Sequence, residues 1–191
     1  MSEFKIPSLN PKDATDSAEI ARLRAEGYEL VDTYEEQCGE LAEIRDPKAV
    51  GKRSAALVED PGDCVAVFPW RKTMVRILGE TAYRELRSNR NRDLLTQEEQ
   101  IRFANARVGF AGLNVGNPGA VCIALEGGAR VMKLADFDTL SLTNLNRFRA
   151  GLPDLGVNKA TLTARQIAEV DPYYSLELHD KGIAPDTVSS F

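Results

Sequence analysis

The C-terminal part of the chain is predicted to fold as an α/β unit of the doubly wound, nucleotide-binding type, on three observations. Short apolar runs alternate with helical segments after Arg107. A turn punctuated by glycine, Gly112-Leu113-Asn114-Val115-Gly116, joins the first run to the first helix. An acidic pair, Asp136-Phe137-Asp138, ends the second run about 20 residues further on, the interval at which a strand-end acid commonly meets a ribose hydroxyl. Alternation of this kind calls for a parallel sheet with helices on both faces, a Rossmann-like βαβαβ unit.

Residues 1–80 read as an N-terminal extension and 81–191 as the nucleotide-binding domain. Residues 1–15 carry Pro7, Asn10 and Pro11 without periodicity and read as an extended lead-in. A helix is predicted from Asp16 to Glu26 with Gly27 as its stop, and a second over 32–45, where Tyr34, Cys38, Leu41 and Ile44 recur at helical spacing. Thr33 and Glu36 can form a capping box there, and Asp46-Pro47 ends the helix. Residues 63–69 and 73–78 read as two strands joined by the Trp70-Arg71-Lys72 turn.

In the second region, 79–86 reads as a helix leading into the Arg-rich run Arg87-Ser88-Asn89-Arg90-Asn91-Arg92, and Thr96 with Glu99 caps a helix through Ala106. Strands are predicted at 107–112, 130–136 and 174–179, with helices at 116–126 and 157–169 between them. Pro118 suits the first turn of the first of those helices. The third strand is expected to present an unpaired edge.

Composition narrows the function. A net charge of −5 argues against general nucleic-acid binding, which needs a concentrated excess of Lys and Arg. No apolar run approaches the ~20 residues of a membrane span, and the first residues have no apolar signal core, so a cytoplasmic location is the default. Cys38, Cys64 and Cys122 are odd in number and form no CxxC pair, against both a disulfide framework and a zinc site. Each is expected to be a small buried residue, Cys122 on the apolar side of its helix. His179, the only histidine, sits at a predicted strand end in a structural or solvent-facing role.

The chemistry concentrates between Asp136 and Lys159. Gly112 and Gly116 permit positive φ and close backbone approach, and the helix behind them offers N–H groups to phosphate. The turn alone fits a NAD-binding oxidoreductase equally well. A triphosphate cleaved between its α- and β-phosphates also needs positive charge, which Arg147 and Lys159 supply, with Asn144 between the acids and the bases. The bland alternative has Asp136 capping its loop and Arg147 pairing with Asp138 or Asp154.

The segments Arg87-Ser88-Asn89-Arg90-Asn91, Gly112-Leu-Asn-Val-Gly116, Asp136-Phe-Asp138, Ser141-Leu-Thr-Asn144-Leu-Asn-Arg147 and Gly156-Val-Asn-Lys159-Ala160 together resemble the ThiF/MoeB/HesA family, the bacterial relatives of ubiquitin-activating enzymes. The resemblance covers somewhat less than half of the chain. It implies an ATP- and Mg2+-dependent adenylyltransferase that activates a carboxylate, such as the C-terminus of a ubiquitin-like or sulfur-carrier protein. Asp136 would bind ribose, Asn144, Arg147 and Lys159 the phosphates, and Asp138 would lie near metal or ribose. Arg90 resembles the arginine that enters a neighbouring subunit's site, which implies a homodimer. Two departures stand out: the turn is poorer in glycine than the family's, and the family's further metal-binding aspartate, CxxC pairs and acceptor cysteine would fall beyond Phe191. The chain is therefore expected to be part of a longer ThiF-like protein. A non-catalytic dimerisation module is the remaining alternative.

Overall fold

In the computed structural model, residues 1–46, 48, 61–185 and 187–191 are described, and the helix stop expected at Pro47 lies outside them. The chain divides into two compact units, one of Ile6–Arg92 and one of Asp93–Phe191 with Met1–Lys5. Strand β1 (Ser2–Phe4) thus belongs with the C-terminal unit, whereas the lead-in was expected to be without regular structure.

Among its described residues, the Ile6–Arg92 unit has a four-stranded sheet and three α-helices. Its elements are β2 (Ser8–Leu9), α1 (Ala14–Ala25), β3 (Glu29–Asp32), α2 (Tyr34–Arg45), β4 (Asp63–Phe68), β5 (Thr73–Leu78) and α3 (Glu80–Arg87). The strands lie in the order β2-β4-β5-β3. The predicted hairpin is β4–β5, and β3, which the sequence reading missed, joins it in parallel. Thr33 makes no side-chain cap; Asp32 Oδ1 instead accepts from Tyr34 N at 3.2 Å. Arg76 pins the unit: its Nε and Nη2 donate to Asp63 Oδ2 at 2.9 and 2.6 Å, and its guanidinium lies 4.3 Å from the Tyr34 ring centroid. The boundary falls after Arg92 rather than at residue 80, because Ala82, Tyr83 and Leu86 of α3 pack with Cys38, Leu41 and Leu78.

In the second unit, α4 (Gln97–Asn105) carries the predicted capping box of Thr96 and Glu99. It leads to β6 (Arg107–Ala111), α5 (Leu113–Leu125), β7 (Val131–Ala135), α6 (Lys159–Val170) and β8 (Ser175–His179). The sheet order is β1-β8-β7-β6, with β6, β7 and β8 parallel. Both crossover helices cover one face. Val108, Phe110, Met132, Leu134, Leu176 and Leu178 form the sheet side of the core, against Leu113, Ala120, Ala124, Ala164 and Ile167.

Among the described residues the opposite face carries no crossover helix, where helices on both sides were expected. Its strand positions are Gly109, Lys133, Glu177 and His179, with Lys133 ion-paired to Glu177 at 3.4 Å and His179 Nε2 hydrogen-bonded to Glu177 Oε1 at 2.7 Å. Those partners hold the Glu177 carboxyl below its usual range despite burial. Phe191 lies over this face, edge-on to His179, where a Cβ on Gly109 would come within 2.8 Å of its ring.

The edge of β8 is paired, not open: β1 runs antiparallel to it, Phe4 opposite Leu176. Glu3 falls opposite Glu177, and these like charges are offset by Lys5 on Glu3 at 2.8 Å and Lys133 on Glu177. Deleting Met1–Lys5 removes this ladder and the partly buried Phe4, a loss of about 2–3 kcal/mol from hydrogen bonds and apolar area. It also bares the β8 edge. A lower melting temperature together with an increase in mass by light scattering is the expected result; an unchanged melting temperature and mass would show that β1 contributes neither.

Candidate nucleotide site

The carboxyl ends of β6 and β7 and the starts of α5 and α6 build one crevice edge, the place where open parallel sheets bind ligands. The chain leaves β6 through Gly112, whose φ of +86° and open space at the Cβ position suit a turn that a ligand can approach. The Gly112 amide donates to Ala135 O at 2.8 Å, tying the turn to the end of β7. Helix α5 then begins at Leu113, not at residue 116. Pro118 is consequently inside the helix, where its missing N–H forfeits one bond of the ladder.

The early start rotates the helix relative to the sequence reading. Leu113, Asn117, Ala120, Val121 and Ala124 form the buried stripe, and Cys122 is exposed rather than buried. Asn117 is fully buried and its amide is fully used. Nδ2 donates to Thr163 Oγ1 at 2.9 Å and to Gln166 Oε1 at 2.7 Å, while Oδ1 accepts from Arg149 N at 3.1 Å. Asn114, in the first turn, keeps a buried Oδ1 without a partner among the described residues.

Asp136 is buried, and each carboxylate oxygen accepts one amide: Oδ2 from Leu113 N at 2.7 Å, Oδ1 from Asp138 N at 2.8 Å. It therefore does cap its own loop and the start of α5. A carboxylate offers about four lone-pair sites, so two acceptor positions remain. Asp138 pairs with Lys159 rather than with Arg147: Lys159 Nζ donates to Asp138 Oδ2 at 3.0 Å, and Lys159 N donates to Asp138 O at 2.9 Å. The Lys159 side chain is 3% exposed and that of Asp138 52%. A buried ammonium has three donors to satisfy, and among the described residues Lys159 Nζ has one acceptor.

Asn144 and Arg147 follow on a short loop. Asn144 is buried, its Oδ1 accepting from Ser141 N and Oγ at 3.0 Å each, which closes the turn Leu142–Asn144. Arg147 is exposed, with Nη1 donating to Thr143 O at 3.3 Å and Asn146 Oδ1 at 2.8 Å. Gly116 is in the second turn of α5, where a Cβ would meet Phe110 and Leu113 at ordinary distances. Arg90 is exposed in the turn Asn89–Asp93 and belongs to the other compact unit. The fold thus brings Gly112, Asp136, Asp138 and Lys159 into one bonded group.

Among the described residues no cluster of three or more His, Cys, Asp or Glu side chains suits a metal, and no helix is long and apolar enough to cross a membrane. No family model matches the chain. A Mycobacterium tuberculosis protein, the uncharacterized MT1398 of strain CDC 1551 / Oshkosh, is 40% identical over 184 residues, 96% of this chain and 25% of its own length. The chain therefore spans a quarter of that curated relative. Among solved structures, the E. coli tRNA N6-threonylcarbamoyladenosine dehydratase TcdA matches with a TM-score of 0.53 and 27% identity, over 58% of this chain and 46% of its own. The same enzyme in complex with ATP matches with a TM-score of 0.53 and 25% identity, over 59% and 46%. With its parallel sheet, its glycine turn and its strand-end acid, this chain is similar in structure to enzymes of the ThiF/MoeB family.

Proposed function

We propose that the chain carries the nucleotide-binding part of an ATP-dependent adenylyltransferase that activates a carboxylate. The observation that carries this reading is Lys159: a buried ammonium with a single acceptor, at the start of a helix and beside two strand-end aspartates. Phosphate oxygens would supply the missing acceptors. The unpaired Asn114 Oδ1 and the open space at Gly112 are further support for a ligand at the turn.

In the reaction, a carboxylate oxygen attacks the α-phosphorus, the bond from that phosphorus to the α,β-bridging oxygen breaks, and pyrophosphate leaves with the electron pair. The protein's share is positioning and charge neutralisation. Asp136 would accept from the ribose hydroxyls, Lys159 and Arg147 would hold the phosphates, Asn144 would donate from Nδ2, and the half-exposed Asp138 would hold Mg2+. The carboxylate belongs to a small protein or peptide, with a ubiquitin-like or sulfur-carrier C-terminus as the first class to try. A homodimer in which Arg90 enters the neighbouring site completes the proposal.

Thermal shift with ATP-magnesium and with NAD, followed by ATP–pyrophosphate exchange with candidate carboxylates in the full-length protein, tests it. Stabilisation by ATP and exchange that requires the acceptor are expected. Stabilisation by NAD alone would replace this reading with an oxidoreductase.

A further inference from the structure

Asn158, one residue before the lysine, holds more of the site together than any other side chain. Its Oδ1 accepts from Ala160 N at 3.0 Å and Thr161 N at 3.1 Å, the N-cap of α6. Its Nδ2 faces three backbone carbonyls, donating to Asp136 O at 3.0 Å and to Asp138 O and Asp180 O at 3.3 Å each. One amide therefore joins the end of β7, the loop after β8 and the start of the helix that bears Lys159. The backbone continues the same seam, with Thr139 bridged to Asn158 and Lys159 N donating to Asp138 O.

We propose that Asn158 is a positioning residue for the nucleotide site, fixing Asp136, Asp138 and Lys159 relative to one another through its Nδ2. The inference rests on the adenylation reading for its functional consequence, although its structural part does not. Capping alone needs only an acceptor, which Asp, Ser or Thr would supply as well as Asn. Three carbonyls converging on one nitrogen need a donor, and among the common capping side chains only the amide of Asn carries an acceptor oxygen and, on a separate atom, two N–H donors, whereas a Ser or Thr hydroxyl has one atom and one proton for both tasks. Helix capping therefore does not by itself account for the choice of residue. Its neighbour Lys159 gains directly: with Asp138 O and Asp136 O held, the Asp138 carboxylate and the Lys159 ammonium keep a fixed separation without a bound ligand.

The variant Asn158→Asp separates the two roles, because it keeps the cap acceptor and replaces the donor by an oxygen that repels the three carbonyls. Melting temperature, ATP-magnesium affinity by calorimetry, and amide exchange at Asp138 and Lys159 are measured for the parent chain, Asn158→Asp and Asn158→Ala. Asn158→Asp should keep the helix cap but melt lower through the two or more hydrogen bonds removed, lose about tenfold in ATP affinity measured well below that melting point, and exchange faster at both amides. Asn158→Ala should lose the cap as well. ATP affinity within twofold of the parent, with exchange unchanged, would overturn the proposal. If the parent chain itself binds no ATP, the adenylation reading fails, and the exchange rates in Asn158→Asp still decide whether Nδ2 holds the loop.

Discussion

Lys159→Met is expected to weaken ATP-magnesium binding by about 30-fold or more while leaving the melting temperature unchanged or slightly higher. The affinity loss follows from removing a charge-assisted contact to phosphate, worth about 2–3 kcal/mol in a site sheltered from water. The stability result is the more diagnostic half. Removing one member of a buried ion pair ordinarily leaves an uncompensated charge, at a cost of about 3–5 kcal/mol. Here the partner left behind is Asp138, whose side chain is 52% exposed and can take water instead. The methionine that replaces Lys159 fills the same channel without the desolvation cost of the ammonium. Calorimetric titration and a thermal melt on the same samples check both halves. Arg147→Ala is the internal comparison: an exposed guanidinium should cost only a few-fold, consistent with the small worth of solvated ion pairs. Retention of ATP affinity within threefold in Lys159→Met would remove Lys159 from the site.

The elements that were legible in the sequence are those whose cause is local. Apolar alternation marks β6, β7 and β8, Thr96 and Glu99 mark the start of α4, and the Phe68–Thr73 turn marks the β4–β5 hairpin. The strand-end acid and the lysine were legible for the same reason: their spacing along the chain is set by one strand and one crossover helix. Strands β1 and β3 were not, because three or four residues carry no period and each becomes a strand only through a partner far away, Leu176–Leu178 for β1 and Thr73–Arg76 for β3. Helix α5 shows a different failure. Placing Pro118 in its first turn moved the start three residues late, and that shift hid the buried stripe and put Cys122 inside. Asn158 went unassigned because its donor role depends on carbonyls about 20 residues away on both sides, a geometry that no spacing rule encodes.

Asn117 carries the largest expected stability effect in the C-terminal unit. Its amide and that of Gln166 hold the backbone of one residue at both its N–H and its C=O: Asn117 Oδ1 accepts from Arg149 N, Gln166 Nε2 donates to Arg149 O, and Asn117 Nδ2 donates to Gln166 Oε1. Thr163 closes the network, accepting from Asn117 while its hydroxyl donates to Lys159 O. Asn117→Leu keeps the volume but leaves the Arg149 amide and the Gln166 carbonyl without their partner, a cost of about 2–3 kcal/mol. Asn117→Ala adds a cavity and should cost about 1 kcal/mol more. Asn117→Asp should be the worst of the three, because it keeps the acceptor for Arg149 but buries a charge against the Gln166 oxygen. That order, Leu less damaging than Ala and Ala less than Asp, is what denaturant unfolding would read. If all three unfold at the parent midpoint, the network contributes nothing. The consequence for function lies in what Arg149 anchors: it is two residues beyond Arg147, on the loop that starts at Asn144. With that anchor lost, Asn117→Leu should bind ATP a few-fold more weakly even well below its melting point, whereas a purely structural network would leave the affinity of the folded fraction unchanged.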